Sequence, residues 1–326
     1  MGKRSILSGT AAALGMLVLI LDSKTALAGA QEGVMLCLRT VIPSLFPFFV
    51  LSGILVASWM GAPFPLLRPL GQLLGMPKGS ESLLISGFLG GYPVGAKCVR
   101  DTWKRGYLNK EDAQRLLCFC SNAGPAFLFG MVAPLFPDIT SGWVLWGIHI
   151  LSALLTGILF RENSASKASI SPAKVPALTE SLTGAMKVTA QVCGWVVVFR
   201  ILSSFLERWL LWAVPLWMRS GMIGLLELSN GCISLAAVES DNLRFLLCSA
   251  MLAFGGLCVF LQTASVTRGL SMGSYLCGKL LQTLFSIVLS VLYLKELSPL
   301  WLIAAVLLTA LGKIRKKSSI PEILRV

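Results

Sequence analysis

The chain has 326 residues, of which 55% are hydrophobic and only 13% are charged. A mean hydropathy of +0.78 is well above that of water-soluble proteins, so we expect an integral membrane protein without a separate soluble domain. The basic residues that give the net charge of +13 lie in short loops between apolar runs, which argues against nucleic-acid binding. The chain has one histidine and nine scattered cysteines, so we expect no metal site, no cofactor and no enzyme activity.

The amino-terminal segment starts with basic residues, continues with an apolar run over 6–21, and then contains Ala26-Leu27-Ala28. This order fits either a signal peptide that is cleaved or a first transmembrane helix. Because further hydrophobic spans follow, we favour the uncleaved helix and keep Met1 in the mature chain. Residues 28–38 are amphipathic and are expected to lie at the membrane interface.

Further apolar runs are each near the ~20 residues that cross a bilayer. They are 41–60, 115–135, 143–160, 182–206, 243–267, 274–294 and the shorter 300–311. Residues 161–180 form the expected cytoplasmic linker between a first half, 41–160, and a second half, 181–312. The chain 1–326 is therefore predicted to be a single all-α polytopic membrane domain.

Two other apolar segments contain too many helix breakers to be simple spans. Residues 81–98 are rich in glycine and contain a proline, whereas residues 221–238 contain Glu-Leu-Ser-Asn-Gly. Non-helical backbone at membrane depth is tolerated only where protein buries it or a cavity adjoins it, because unpaired N–H and C=O groups cost several kcal/mol each in hydrocarbon. We therefore interpret both segments as re-entrant hairpins.

The distribution of basic residues predicts how these segments are oriented. With both termini in the cytoplasm, most of the 28 basic residues fall on the cytoplasmic side, Lys97, Arg115 and Lys279 among them. The first hairpin then enters from the cytoplasm and the second from the opposite side. Paired interrupted segments in two oppositely oriented halves are typical of secondary transporters, and a weak similarity between 115–118 and 244–247 agrees with an inverted repeat.

The segment Gly-Gly-Tyr-Pro-Val-Gly-Ala-Lys is the first candidate for solute binding. Glycine lets backbone approach a ligand and proline ends a helix, so that free amides can face a solute. Close helix packing is the alternative role of the glycines, but the tyrosine and the lysine favour binding. The candidate residues are Gly90, Gly91, Tyr92, Pro93, Gly95 and Lys97.

Two further segments complete the candidate site. In the first, 121–125, the side-chain amide of Asn122 must find hydrogen-bond partners when buried, which favours a role in binding. Pro125 fits a simple helix kink as well as it fits a binding role. In the second, Glu227 could bind a cation or a proton, or share a midplane site with Arg200, for which a structural ion pair is the alternative. The candidates are Ser121, Asn122, Gly124, Pro125, Arg200, Glu227, Ser229, Asn230 and Gly231; Gln262 ranks lower, and His149 is interpreted as a packed residue.

These motifs together resemble the nucleoside-recognition (Gate) family, and most of all its members that act in sporulation. The matching segments are 42–49, 86–97, 121–125 with Phe129-Gly130, and 226–231, and the resemblance extends over nearly the whole chain. It implies an architecture related to concentrative nucleoside transporters, in which hairpins and interrupted helices bind solute at the midplane. It also implies that the mother cell makes the protein and places it in the outer forespore membrane, where it moves dipicolinic acid toward the spore.

We therefore expect a transporter of a small anionic metabolite, most of all dipicolinate. Its carboxylates would suit Arg200, Lys97 and helix N-termini. The expected partners are this solute, membrane lipid, and either a second copy of the chain or other spore membrane proteins. Two alternatives stay open: a nucleoside or nucleobase transporter with the same fold, and a membrane scaffold for spore-envelope assembly that transports nothing.

Overall fold

The described part of the chain, residues 3–59, 64–162 and 178–318 of a computed structural model, is 80% helical and contains no strand. The helices are α1 (Lys3–Leu21), α2 (Ser23–Leu36), α3 (Ile42–Trp59), α4 (Arg68–Leu73), α5 (Ser82–Leu89), α6 (Val94–Lys104), α7 (Lys110–Leu117), α8 (Pro125–Phe127), α9 (Ile139–Leu159), α10 (Leu178–Trp209), α11 (Leu216–Leu226), α12 (Leu228–Ser234), α13 (Asp241–Phe254), α14 (Gly256–Val266), α15 (Met272–Leu294) and α16 (Leu300–Ser318). Two π-helical turns, Cys37–Val41 and Leu128–Val132, and two 3₁₀ turns, Ala133–Leu135 and Leu235–Ala237, extend the helices beside them.

Among the described residues, five helical stretches are long and apolar enough to cross a membrane. They are Ser23–Leu51, Ile139–Leu159, Leu178–Trp209, Asp241–Val266 and Met272–Leu294. Large apolar side chains, such as Met186, Val198 and Leu202 of α10, are exposed on their outer surfaces, where a water-soluble helix would carry polar groups. The all-helical membrane fold predicted from composition agrees with this surface.

The first long helix differs from its prediction. The segment 28–38, expected at the interface, and the span 41–60 are joined by the π-helical turn, so that α2 and α3 form one continuous helical stretch. In this turn the amide of Ile42 bonds to the carbonyl of Cys37, five residues earlier. Pro43 and Pro47 lack amide hydrogens, and a widened turn accommodates missing bonds of this kind without ending a helix.

The same order of elements occurs twice along the chain. A long helical stretch (α2–α3, then α10) is followed by a hairpin of two short helices (α5–α6, then α11–α12). An interrupted helix (α7–α8, then α13–α14) and a straight helix (α9, then α15) complete each set. Helical hairpins thus occur at both predicted positions, 81–98 and 221–238, whereas the predicted linker 161–180 lies largely outside the described residues.

The second interrupted helix was not predicted. Residues 243–267 were predicted to form an unbroken span, but Gly255 and Gly256 have φ angles of +82° and +78° and separate α13 from α14. Both angles lie in the left-handed region that glycine adopts without steric cost. Two adjacent glycines inside an apolar run were therefore the signal of this break.

The hairpin of each half contacts the interrupted helix of the other half. Helix α6 of the first hairpin lies against α14, and α12 of the second hairpin lies against the π-helical turn Leu128–Val132. The long stretch α2–α3 packs along α10, while α15 contacts both α9 and α13. The two sets of elements are therefore interleaved and share one interior.

Arg115 of α7 and Arg244 of α13 have similar roles in the first segments of the two interrupted helices. Each pairs with an aspartate three residues earlier, at 2.9 and 2.7 Å. Arg115 also donates to the carbonyl of Leu74 at 2.8 Å, and Arg244 donates to that of Leu135 at 2.9 Å. Because the last carbonyls of a helix have no partner within it, both arginines satisfy helix ends.

We expect Gly95→Ala to destabilise the protein by about 1–3 kcal/mol through overpacking. A Cβ atom at Gly95 would overlap the carbonyl oxygen of Cys120, which is backbone and cannot move aside. Thermal unfolding in detergent measures the effect. Gly147→Ala, in a helix where a Cβ would meet nothing within 4 Å, is the matched control, and equal melting temperatures for the two variants would contradict this prediction.

Candidate functional site

A small cavity lies where the broken elements of the two halves meet. Its polar lining comes from Thr40 and Ser44 beside the π-helical turn, Tyr92 of the first hairpin, Glu227 and Ser229 of the second, and Gln262 of α14. The volume of about 40 Å³ holds at most a few water molecules. In this conformation the cavity is therefore too small for a metabolite.

Three helices begin at the cavity wall. Tyr92 stands one residue before the N-cap of α6, Gly124 is the N-cap of α8, and Glu227 is the N-cap of α12. The first amides of a helix have no partner within it and carry partial positive charge. The amides of α12 are already used, because the Glu227 carboxylate accepts from the amides of Ser229 at 3.0 Å and Asn230 at 2.7 Å.

Glycines bring the first hairpin and the first interrupted helix into backbone contact. Gly91 has a φ of +74°, and a Cβ atom on Gly124 would lie 2.9 Å from the Gly91 Cα atom. A Cβ atom on Gly231 would come still closer to the Gly224 Cα atom in the second hairpin. At these positions the glycines allow close backbone packing, which was the alternative role considered for them. The contact at Gly91 also places the neighbouring Tyr92 at the cavity.

A buried chain of hydrogen bonds adjoins the cavity. Lys279 of α15 donates to the Tyr92 hydroxyl at 2.9 Å and to the side-chain oxygen of Gln282 at 2.6 Å. Gln282 donates to the side-chain oxygen of Asn122 at 2.9 Å, and Tyr92 donates to the carbonyl of Leu252 at 3.1 Å. These groups connect the break after α7 with the last turn of α13, as buried polar groups must be connected to partners.

His149 also belongs to this polar interior. Its Nε2 atom accepts from the amide of Ala123 at 3.0 Å, inside the break after α7, and its side chain is buried. The interpretation of His149 as a packed residue agrees with this contact. Its ring satisfies an amide that the interrupted helix leaves free.

Arg200 and Glu227 do not form the ion pair considered from the sequence. The Arg200 Nε atom donates to Glu32 of α2 at 2.7 Å, and the guanidinium also lies 3.5 Å from Glu207. Glu227 instead caps its own helix. Because the acidic partner of Arg200 lies in a segment 168 positions away in the sequence, spacing alone could not identify it.

Lys97 also lies away from the cavity. It forms an ion pair of 2.7 Å with Asp101, one turn later in α6, and its side chain is 41% exposed. Lys279 shows the reverse behaviour. It was counted only among the charges of the cytoplasmic side, but its side chain is buried in the polar interior. The burial of Lys279 was not foreseen because the positive-inside rule assigns charges to a side of the membrane, not to a burial depth.

Four other predicted residues, Ser121, Asn122, Pro125 and Asn230, do not line the cavity. Ser121 and Asn122 are buried in the break after α7, and Pro125 starts α8, where its missing amide hydrogen costs nothing. The Asn230 side chain is buried in the first turn of α12, and its side-chain nitrogen, Nδ2, has no hydrogen-bond partner among the described residues. Thr40, Ser44, Lys279 and Gln282 were not among the residues predicted for the site.

The chain is similar to the sporulation integral membrane protein YlbJ of Bacillus subtilis. The two are 30% identical over 139 residues, which make up 41% of this chain and 33% of that relative. The matched segment thus spans about a third of the relative's length. This distant relationship, together with the apolar helices, supports an integral membrane protein with a role in sporulation.

No family model matches the chain, and no solved structure matches it. Membership of the nucleoside-recognition family therefore stays a prediction from the motifs in the sequence.

We expect the charge reversal Arg200→Glu to lower the melting temperature, because it places three acids together. Adding Glu32→Arg should restore much of the loss, since the new arginine can pair with the new glutamate. Thermal unfolding in detergent measures both effects. Arg200→Glu combined with Glu227→Arg is the matched control and should not recover stability; recovery there and not with Glu32→Arg would contradict the observed pairing.

Proposed function

We propose that the protein transports a small anionic metabolite across a membrane during sporulation, with dipicolinate as the favoured solute. The observation that carries the proposal is the cavity at which α6 and α8 begin. Helix N-termini attract anions, since amide hydrogens and the helix dipole present positive charge there. The relationship to a sporulation membrane protein supports the biological context.

The proposed mechanism is alternating access between two inverted halves. The repeated order of elements and the contacts of each hairpin with the other half support this architecture. Movement of one half against the other would enlarge the small cavity toward one side of the membrane at a time. The orientation that we propose keeps both termini in the cytoplasm, with the protein in the outer forespore membrane.

The cavity wall suits a planar aromatic acid. Val192 and Val196 of α10 and Phe127 of α8 form an apolar surface against which a ring can pack. The first amides of α8 can donate to carboxylate oxygens, whereas the hydroxyls of Tyr92 and Ser44 already donate to backbone carbonyls. Glu227 makes the opposite wall acidic. A dicarboxylate would therefore place its charges toward Tyr92 and the start of α8.

We expect purified protein in liposomes to take up radiolabelled dipicolinate, and Ser44→Phe to reduce the rate at least about tenfold by filling the cavity. Leu51→Phe, on the same helix but 63% exposed, is the matched control and should transport at the wild-type rate. Initial rates of dipicolinate uptake by the wild-type protein and by each variant measure the effect. Absence of flux through folded wild-type protein would falsify the proposal.

The same assay separates the two alternatives. Uptake of a nucleoside or nucleobase without dipicolinate uptake would favour the nucleoside transporter, whose solute binds through stacking and amide groups. A scaffold would show no flux of either solute. In spores, Ser44→Phe would then leave dipicolinate content normal while changing which membrane proteins co-purify with this chain.

A further inference from the structure

We propose that Lys279 is the residue that binds the charge of the transported anion. This inference rests on the proposed function and adds to it the cationic group that the sequence analysis assigned to Lys97 and Arg200. Lys279 lies on α15, outside every motif identified from the sequence. It is assigned this role because, among the described residues, other basic side chains of the interior have acidic partners and Lys279 has none.

Other basic side chains of the interior and its edges are already neutralised by acids. Arg115, Arg200 and Arg244 each form an ion pair with an aspartate or glutamate, and so does Lys97. Lys279 is only 1% exposed, and no carboxylate among the described residues lies within 4 Å of it. An ammonium is strongly hydrated in water, so its burial without an anion is unfavourable.

The groups that contact Lys279 are neutral. Its ammonium donates to the Tyr92 hydroxyl and the Gln282 amide oxygen, and it lies 4.9 Å from the centre of the Tyr92 ring. These contacts supply dipoles but no negative charge. They use two of the three N–H donors of a lysine, so that one donor is available for an anion.

Tyr92 connects Lys279 to the cavity. The tyrosine side chain lines the cavity, and its hydroxyl oxygen is the atom that accepts from the ammonium. A carboxylate oxygen that replaced this hydroxyl would pair directly with Lys279, while Tyr92 kept its own bond to the Leu252 carbonyl. Glu227 on the other wall repels an anion and directs it to the Tyr92 side. The ligand class is therefore a carboxylate on a small, planar, apolar body.

The test compares charged and uncharged forms of one solute. Dipicolinate and pyridine-2,6-dicarboxamide, which has the same shape without charge, are used in uptake and in equilibrium binding to purified full-length protein. Lys279→Met should raise the KM for dipicolinate at least about tenfold and abolish the preference for the charged solute. Lys279→Arg should keep that preference. Lys295→Met, at the exposed end of the same helix, is the matched control and should behave as wild type.

A second variant keeps the test decisive if Lys279→Met does not fold. Gln282→Glu is nearly isosteric and places a carboxylate on the atom that now accepts from Lys279, so this internal acid should compete with the solute. We expect its dipicolinate affinity to fall at least about tenfold. Unchanged dipicolinate affinity in folded Gln282→Glu or Lys279→Met protein, with wild-type transport intact, overturns the role of Lys279 alone. Absence of dipicolinate transport by wild type overturns the proposed function instead.

Discussion

Two helices can be interrupted inside this apolar protein because Asn122 and Tyr92, which are both bonded to α15, donate to backbone carbonyls at the two breaks. Gln282 reaches Asn122 in the first break at 2.9 Å. Lys279 reaches Tyr92, whose hydroxyl bonds to the last turn before the second break at 3.1 Å. Open backbone costs several kcal/mol per unpaired group in hydrocarbon, so the interrupted helices depend on these few side chains.

This arrangement gives the two halves a common physical connection. A single turn of α15 carries both Lys279 and Gln282, and each hairpin lies against the interrupted helix of the other half. A displacement at one break therefore changes the hydrogen bonds available at the other. Packed side chains and hydrogen-bond networks of this kind are the contacts through which distant sites become coupled. For a transporter, such coupling would relate solute binding to movement of the halves.

The positions of the hairpins could be predicted because glycine, proline and polar residues interrupt helices, and a membrane tolerates interrupted helices only where protein or a cavity surrounds them. The same signal identified Tyr92, Gly124, Glu227 and Ser229, which line the cavity. The partner of Arg200 could not be identified, since ion pairs between distant helices leave no spacing pattern. The burial of Lys279 could not be predicted, because a lysine near the end of an apolar run has the same sequence pattern whether it faces water or the protein interior.

The π-helical turn between α2 and α3 has a consequence for the shape of the cavity. A turn of this kind contains one residue more than an α-helical turn, and one residue corresponds to about 100° of rotation around a helix. If the turn relaxed to α-helical geometry, α2 would swivel by that angle relative to α3 and carry Glu32 away from Arg200. The pairing of Glu32 with Arg200 therefore fixes the rotational register of the helix whose Thr40 and Ser44 form one side of the cavity.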